Sequence, residues 1–281
     1  MAEIVAGIAA SHAPFVAMHP QFEQAPIEQG ERVIQAFTTA REVLEKTAAD
    51  VIVLFSNDHL DRFFFDNLPA FLVGIGEEAQ GPVNEWIRLP KAKVRVHSQL
   101  GKFLVVEGFK AGIDFARSEE LPLDHSECVP LHFLTPRWDV PIVPVVVNTF
   151  ASPMPTLQRC CQVGEFIRKA VEKWPGKERV AFVGSGGLSH WVGIPGTGKI
   201  GEEFDRWFLD RLMHRKLVEI SETYEDEKKL EEAAGNGGHE VRDWLSVAAA
   251  MPAKLKGRVL AYEPIRPWLT GFAVAVWERR A

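Results

Sequence analysis

Three short apolar runs in this chain each break into small or turn-forming residues and then present a histidine. Residues 3–10 (EIVAGIAA) lead to Ser11-His12-Ala13-Pro14, and residues 51–55 (VIVLF) lead to Ser56-Asn57-Asp58-His59. Residues 180–183 (VAFV) pass through Gly184-Ser185-Gly186-Gly187 to Ser189-His190. Runs this short and this continuously apolar are strands covered on both faces, the pattern of a parallel sheet. Between the first two, Pro26 can open a helix, and Val33, Ile34, Phe37, Ala40, Val43 and Leu44 follow at helical spacing. Strand, amphipathic helix, strand is the βαβ unit.

The same reading predicts strands over 71–75, 141–147, 259–262 and 270–277, and helices over 96–111, 157–174, 202–214 and 240–250. In the helix over 96–111, Leu100, Phe103, Leu104 and Phe109 are expected to face inward. Residues 121–126 read as a loop carrying His125, and the charged stretch 218–234 as a solvated helical excursion. The expected fold is an α/β sandwich with a largely parallel central sheet flanked by helices. No repeat, linker or composition break divides the chain, so residues 1–281 are expected to form a single domain.

The balance of 32 Lys+Arg against 38 Asp+Glu gives a net charge of −6 with the basic residues scattered, which argues against a nucleic-acid partner. No apolar run is long enough to span a bilayer, and the N-terminus lacks the layout of a secretory leader. Cys128, Cys160 and Cys161 form neither a disulfide framework nor a CxxC zinc site. A reduced, cytoplasmic protein is expected.

In an open parallel sheet the carboxyl ends of the strands converge on one edge, where ligands bind. His12, His59 and His190 are therefore candidates for one shared site. Several imidazoles with one carboxylate form the 2-His-1-carboxylate arrangement of non-haem iron centres. The carboxylate candidates are Asp58, Asp124, Glu127, Glu240 and Asp243. Glu240 is best placed, since it follows Gly237-Gly238 and opens a helix that can aim it. Asp58 is equally suited to hold an imidazole tautomer from behind. Spacing alone does not separate these choices. The match of residues 193–199 (GIPGTGK) to a phosphate-binding loop fails on its context: Ile200 stands where Ser or Thr is needed, and no strand leads into it. Ser185 lacks the GxSxG elbow of a hydrolase serine.

Taken together, these motifs resemble the class III extradiol ring-cleavage dioxygenases. The resemblance rests on Ser11-His12-Ala13-Pro14, on Ser56-Asn57-Asp58-His59 with Phe63, Phe64 and Phe65 behind it, on Asp124-His125 and on Gly184-Ser185-Gly186-Gly187-Leu188-Ser189-His190. It continues through His239-Glu240-Val241-Arg242-Asp243-Trp244 to Tyr262-Glu263-Pro264-Ile265 and Trp268-Leu269-Thr270-Gly271-Phe272, and covers nearly the whole chain. It implies Fe(II) held by His12, His59 and Glu240. It also implies His190 as an acid/base beside the metal and His125 as a second catalytic histidine. The implied reaction is ring opening of a catecholic compound with O₂. The implied assembly is a homo-oligomer, with a small accessory subunit as the other arrangement known in the family. The alternative is a zinc-binding non-oxygenase, or a peptide- or partner-binding protein, of the same fold. Phe63, Phe64, Phe65, Trp191 and Trp268 are candidates for the pocket wall, and Lys199 and Arg242 for contact with a substrate carboxylate.

Overall fold

The computed structural model describes residues 1–22 and 26–279. In chain order the elements begin with β1 (Glu3–Ser11), α1 (Ile27–Thr47), β2 (Val51–Asn57), β3 (Phe71–Gly74), β4 (Glu78–Gly81), β5 (Ala92–Arg95), α2 (Ser98–Lys110) and β6 (Ala116–Ser118). Then come α3 (His125–Leu134), β7 (Ile142–Val147), α4 (Leu157–Lys173), β8 (Arg179–Gly186), α5 (Glu202–Met213), α6 (Leu217–Thr223) and α7 (Glu227–Ala234). The chain closes with α8 (Val241–Ala250), β9 (Lys256–Ile265) and β10 (Thr270–Glu278).

Eight strands form the central sheet in the order β6-β3-β7-β2-β8-β1-β10-β9, and β4 and β5 pair as a separate ribbon. The neighbours β7–β2, β2–β8, β8–β1 and β3–β6 run parallel, while β3–β7, β1–β10 and β10–β9 are antiparallel. The sheet is thus mixed and mostly parallel, with helices on both faces, as the strand and helix pattern predicts. Alternation along the strands sorts side chains between two cores. Val51, Val53 and Phe55 face the layer that holds α4 and α8, and Ile52 and Leu54 face the layer that holds α1 and α3. A bulge between Ile4 and Ala6 lets β1 change face, so that Ile4 joins the first core and Ala6 the second. Pro144 is tolerated inside β7 because β3 pairs only with Val145, Val146 and Val147 beyond it.

The expected helix over 96–111 is α2, but Phe109 is exposed rather than inward. The expected loop at His125 is the start of α3. Asp124 caps that helix by accepting from Ser126 N at 2.6 Å, and Glu127 Oε2 accepts from Asp124 N at 2.8 Å, a reciprocal capping box. The charged stretch is α6 and α7, and it is no free excursion, since Ile220, Leu230 and Ala234 are buried. Among the described residues no helix is long and apolar enough to cross a membrane.

Candidate active site

Because β1, β2 and β8 run parallel, their C-terminal ends at Ser11, Asn57 and Gly186 lie along one sheet edge. His12, His59 and His190 emerge there. The turn before α8 brings Glu240 to the same place. The glycines of β8 permit its approach: a Cβ on Gly186 would stand 2.7 Å from Glu240 O, and one on Gly184 would stand 2.9 Å from Asp243 O. The helix therefore packs directly on the strand backbone.

Glu240 Oε1 is the point of convergence. It lies 3.2 Å from His59 Nε2, 3.5 Å from His12 Nε2 and 3.9 Å from His190 Nε2. The partners behind the rings set their tautomers. Ser185 Oγ donates its one proton to Ser126 O, so at 3.0 Å it accepts from His12 Nδ1. Asp124 Oδ2 accepts from His59 Nδ1 at 3.0 Å. Both Nε2 atoms are left to face the carboxylate, as ligating histidines are normally held. Burial opposes a charge on His59, but Asp124 and Glu240 outweigh it and raise its pKa well above the usual value. Burial likewise opposes ionisation of Glu240, and the surrounding imidazoles of His12, His190 and His59 outweigh it and hold its carboxyl well below the usual range.

These residues fit a divalent cation. Glu240 Oε2 is buried without a hydrogen-bond partner, the situation of a carboxylate built to meet a cation. His12, His59 and His125 also bring ring nitrogens within 4.8 Å of one another. The His59 and His125 rings, however, are stacked at 4.0 Å and 25°, whereas His12 stands at 90° to His59. Lone pairs lie in the ring plane, so stacked rings direct them side by side, and rings at right angles can converge. His125 is fastened separately, since its backbone N donates to Asn84 Oδ1 at 2.8 Å and its Nδ1 approaches the same atom at 3.3 Å. Burial and the charge of His59 lower its pKa well below the usual value.

The other carboxylate candidates occupy different posts. Asp58 accepts from Arg62 Nε at 2.7 Å and does not hold an imidazole; Asp124 does that work. Glu127 accepts from Ser56 Oγ at 2.6 Å and from Arg62 Nη1 at 3.0 Å. Asp243 is fully buried with neither oxygen bonded, and burial raises its pKa well above the usual value. His190 is held by its Nδ1, which donates to Leu188 O at 2.8 Å. A Cβ on Gly237 would strike its ring, and one on Gly187 would stand 2.6 Å from its Cε1 and 2.7 Å from Glu240 Oε2. Those two glycines keep open the space between His190 and the carboxylate.

Residues 6–273 match the family described as the catalytic LigB subunit of aromatic ring-opening dioxygenase. The chain belongs to this family. It is 29% identical to 2,3-dihydroxyphenylpropionate/2,3-dihydroxicinnamic acid 1,2-dioxygenase of Escherichia coli K12, over 93% of this chain and 95% of that one. The protein of that name from Shigella sonnei matches to the same extent. In fold, the chain resembles the uncharacterized protein JW3007 from Escherichia coli K12, at a TM-score of 0.60 and 14% identity, covering 97% and 99% of the two chains.

The candidate site of this ring-opening dioxygenase lies in a pocket of about 680 Å³, ample for a substituted aromatic ring. His12, His59, His125, His190 and Glu240 all line it. Of the expected aromatic wall only Trp268 is a lining residue, joined by Phe15, Trp86 and Phe150. Phe64 and Phe65 are exposed elsewhere, Phe63 packs on the small cluster of Leu72, Leu121 and Val146, and Trp191 is buried beneath Lys199. Lys199 and Arg242 do not line the pocket. Lys199 Nζ sits 4.4 Å over the Trp191 ring, and Arg242 Nε donates to Pro155 O at 2.8 Å. Sequence reading missed Ser185 and Asn84 as supports, and Glu227 and Glu231 as pocket walls. The capping-box spacing of Asp124 and Glu127 is the signal that could have placed His125 on a helix.

Proposed function

We propose that this chain is an Fe(II)-dependent extradiol dioxygenase that opens the ring of a catechol with O₂, and that residues 1–281 act as one catalytic domain. The observation that carries the ligand assignment is the convergence of His12 Nε2 and His59 Nε2 on a buried Glu240 whose second oxygen has no partner. In this reading His12, His59 and Glu240 hold the metal. When bound, the metal supplies a Lewis acid that gathers diol and O₂ at one point. His190 removes a phenolic proton: its Nδ1 is committed to Leu188 O, so Nε2 is the atom that works. His125 acts as the proton donor to the opening ring. Trp86, with its ring 6.0 Å from that of His125, and Trp268 flank the bound aromatic. The relative named for 2,3-dihydroxyphenylpropionate supports a dihydroxyphenyl substrate class. The exposed Trp86, Phe150 and Val192 at the rim support a homo-oligomer, or a small accessory subunit, closing over the mouth. The free state of Cys128, Cys160 and Cys161 supports a cytoplasmic setting.

The test is anaerobic reconstitution with Fe(II), followed by a catechol and O₂, with oxygen uptake and the yellow ring-cleavage product measured. His12→Ala, His59→Ala and Glu240→Ala are expected to lose iron. His190→Ala is expected to keep iron and lose turnover by about 10²–10⁴-fold. Iron retained in all three ligand variants would overturn the assignment. No oxygen uptake with any catechol, together with tight zinc occupancy, would favour a metal-binding non-oxygenase instead.

A further inference from the structure

Among the described residues, the lining of the 680 Å³ pocket contains three glutamates, Glu227, Glu231 and Glu240, and no lysine or arginine. Glu240 belongs to the metal centre, which leaves two carboxylates with no assigned role. They are four residues apart on α7 and so share one helical face. Glu227 is rigidly placed, with Ser152 Oγ and Met154 N donating to its two oxygens. Burial works against its ionisation, yet those two bonds, together with the charges of Arg242 and His239, outweigh it and lower its pKa below the usual value. Glu231 stands at the more exposed end, its Oε2 3.9 Å from His239 Nε2. The guanidinium of Arg242 is buried and bonded to His239. Its Nε and Nη1 are taken by Pro155 O at 2.8 Å and by His239 O and Nδ1 at 3.1 Å and 3.0 Å. It has no free fork to offer a carboxylate.

We propose that this dioxygenase takes a catechol whose ring substituent ends in a hydrogen-bond donor, an ammonium or a hydroxyl, received by Glu227 and Glu231, and that it rejects a carboxylate there. The proposal rests on the reading of this cavity as the ring-cleavage site. A buried or half-buried anion set against fixed like charges is strongly disfavoured, and a donor meeting two acceptors is favoured. Glu227 and Glu231 thereby become specificity-determining residues, separate from those that hold the metal.

The experiment uses a matched set of catechols substituted at ring position 3 or 4 with 2-carboxyethyl, 2-aminoethyl, 2-hydroxyethyl or methyl. For each, kcat/KM is measured with the iron-loaded enzyme, and the dissociation constant is measured anaerobically by calorimetry. The amino and hydroxy compounds are expected to exceed the carboxylate at least about tenfold on both scales. In Glu227→Gln/Glu231→Gln the ratio of amine to methyl compound is expected to collapse, and the ratio of carboxylate to methyl compound to rise. Ratios within one variant cancel any general loss of folded enzyme. A carboxylate compound that binds and turns over as well as the amine, or ratios unmoved by the double variant, would overturn the proposal. If no catechol is cleaved, the ring-cleavage reading fails, while the order of the dissociation constants still decides this one.

Discussion

Asp124 serves two structures with one side chain. Oδ1 caps α3 through Ser126 N and Oδ2 holds His59 Nδ1. An asparagine has a single carbonyl oxygen and no charge, so it can satisfy only one of the two. Asp124→Asn is therefore expected to weaken metal binding about 10–100-fold, the usual effect of losing the partner behind a ligating histidine. The cap itself can survive, because asparagine caps a helix about as well as aspartate does, so the loss falls on His59. Asp58→Asn is the control, because Asp58 faces Arg62 and the Phe63 amide and not an imidazole. Metal titration of the two variants separates them, and equal affinities would refute the role given to Asp124. Gly237 offers a complementary change. Its Cβ would enter the His190 ring, so Gly237→Ala is expected to retain iron and lose most of kcat. Metal content and turnover measured on the same preparation check this; a loss of both together would mean that the change spreads to Glu240.

The pairing of β8 with α8 is the element-level device that assembles the site. Gly184 and Gly186 let the helix lie on the strand, and Gly164 of α4 meets the Ser246 carbonyl of the same helix. In Gly184→Ala the added methyl would stand 2.9 Å from both Asp243 O and Val247 Cγ2, too close without a backbone shift. Destabilisation of about 1–3 kcal/mol is expected, the ordinary cost of overpacking. The same shift carries Glu240 away from His12 and His59, so metal affinity should fall alongside the melting temperature. Unchanged affinity in a destabilised variant would uncouple helix packing from the site. The strands of this device were readable in the sequence because continuous apolar runs have few other uses. The first turn of α3 was not, because Asp124-His125-Ser126-Glu127 is polar and Pro130 interrupts the helical pattern that follows. Phe109 was misassigned because the helical spacing of α2 continues past the part that is covered, leaving its ring in solvent. The pocket face of α7 was hidden for the opposite reason: Glu227 and Glu231 read as ordinary solvated charge, and only the way α7 packs sets them along the pocket wall.

At the scale of the whole molecule, the sheet order joins residues far apart in the chain, and that part was legible: parallel strands must deliver His12, His59 and His190 to one edge. What separates ligand from base in the proposed site was not, because it depends on ring orientations and on the placing of Ser185 and Asp124. One buried carboxyl ties that edge to the outer layers. Asp205 of α5 accepts from Ser189 N at 2.7 Å and Ser189 Oγ at 2.8 Å, and Tyr262 Oη of β9 donates to it at 2.8 Å. Burial, opposed only in part by these bonds, raises its pKa from 3.8 to about 7. The folded state thus holds this proton more tightly than the unfolded chain does. Its contribution to stability is fully present below the unfolded value near pH 4 and is lost as the pH rises through about 7. The loss is at most on the order of 4 kcal/mol for a shift of this size. Asp205→Asn carries no such proton, so the difference in unfolding free energy between the two proteins should change with pH across that window and be constant outside it. Chemical denaturation from pH 4 to 8 measures this directly. A difference that does not vary with pH would mean that Asp205 is ionised in the folded protein, and that the segment leading into His190 is held by a charge.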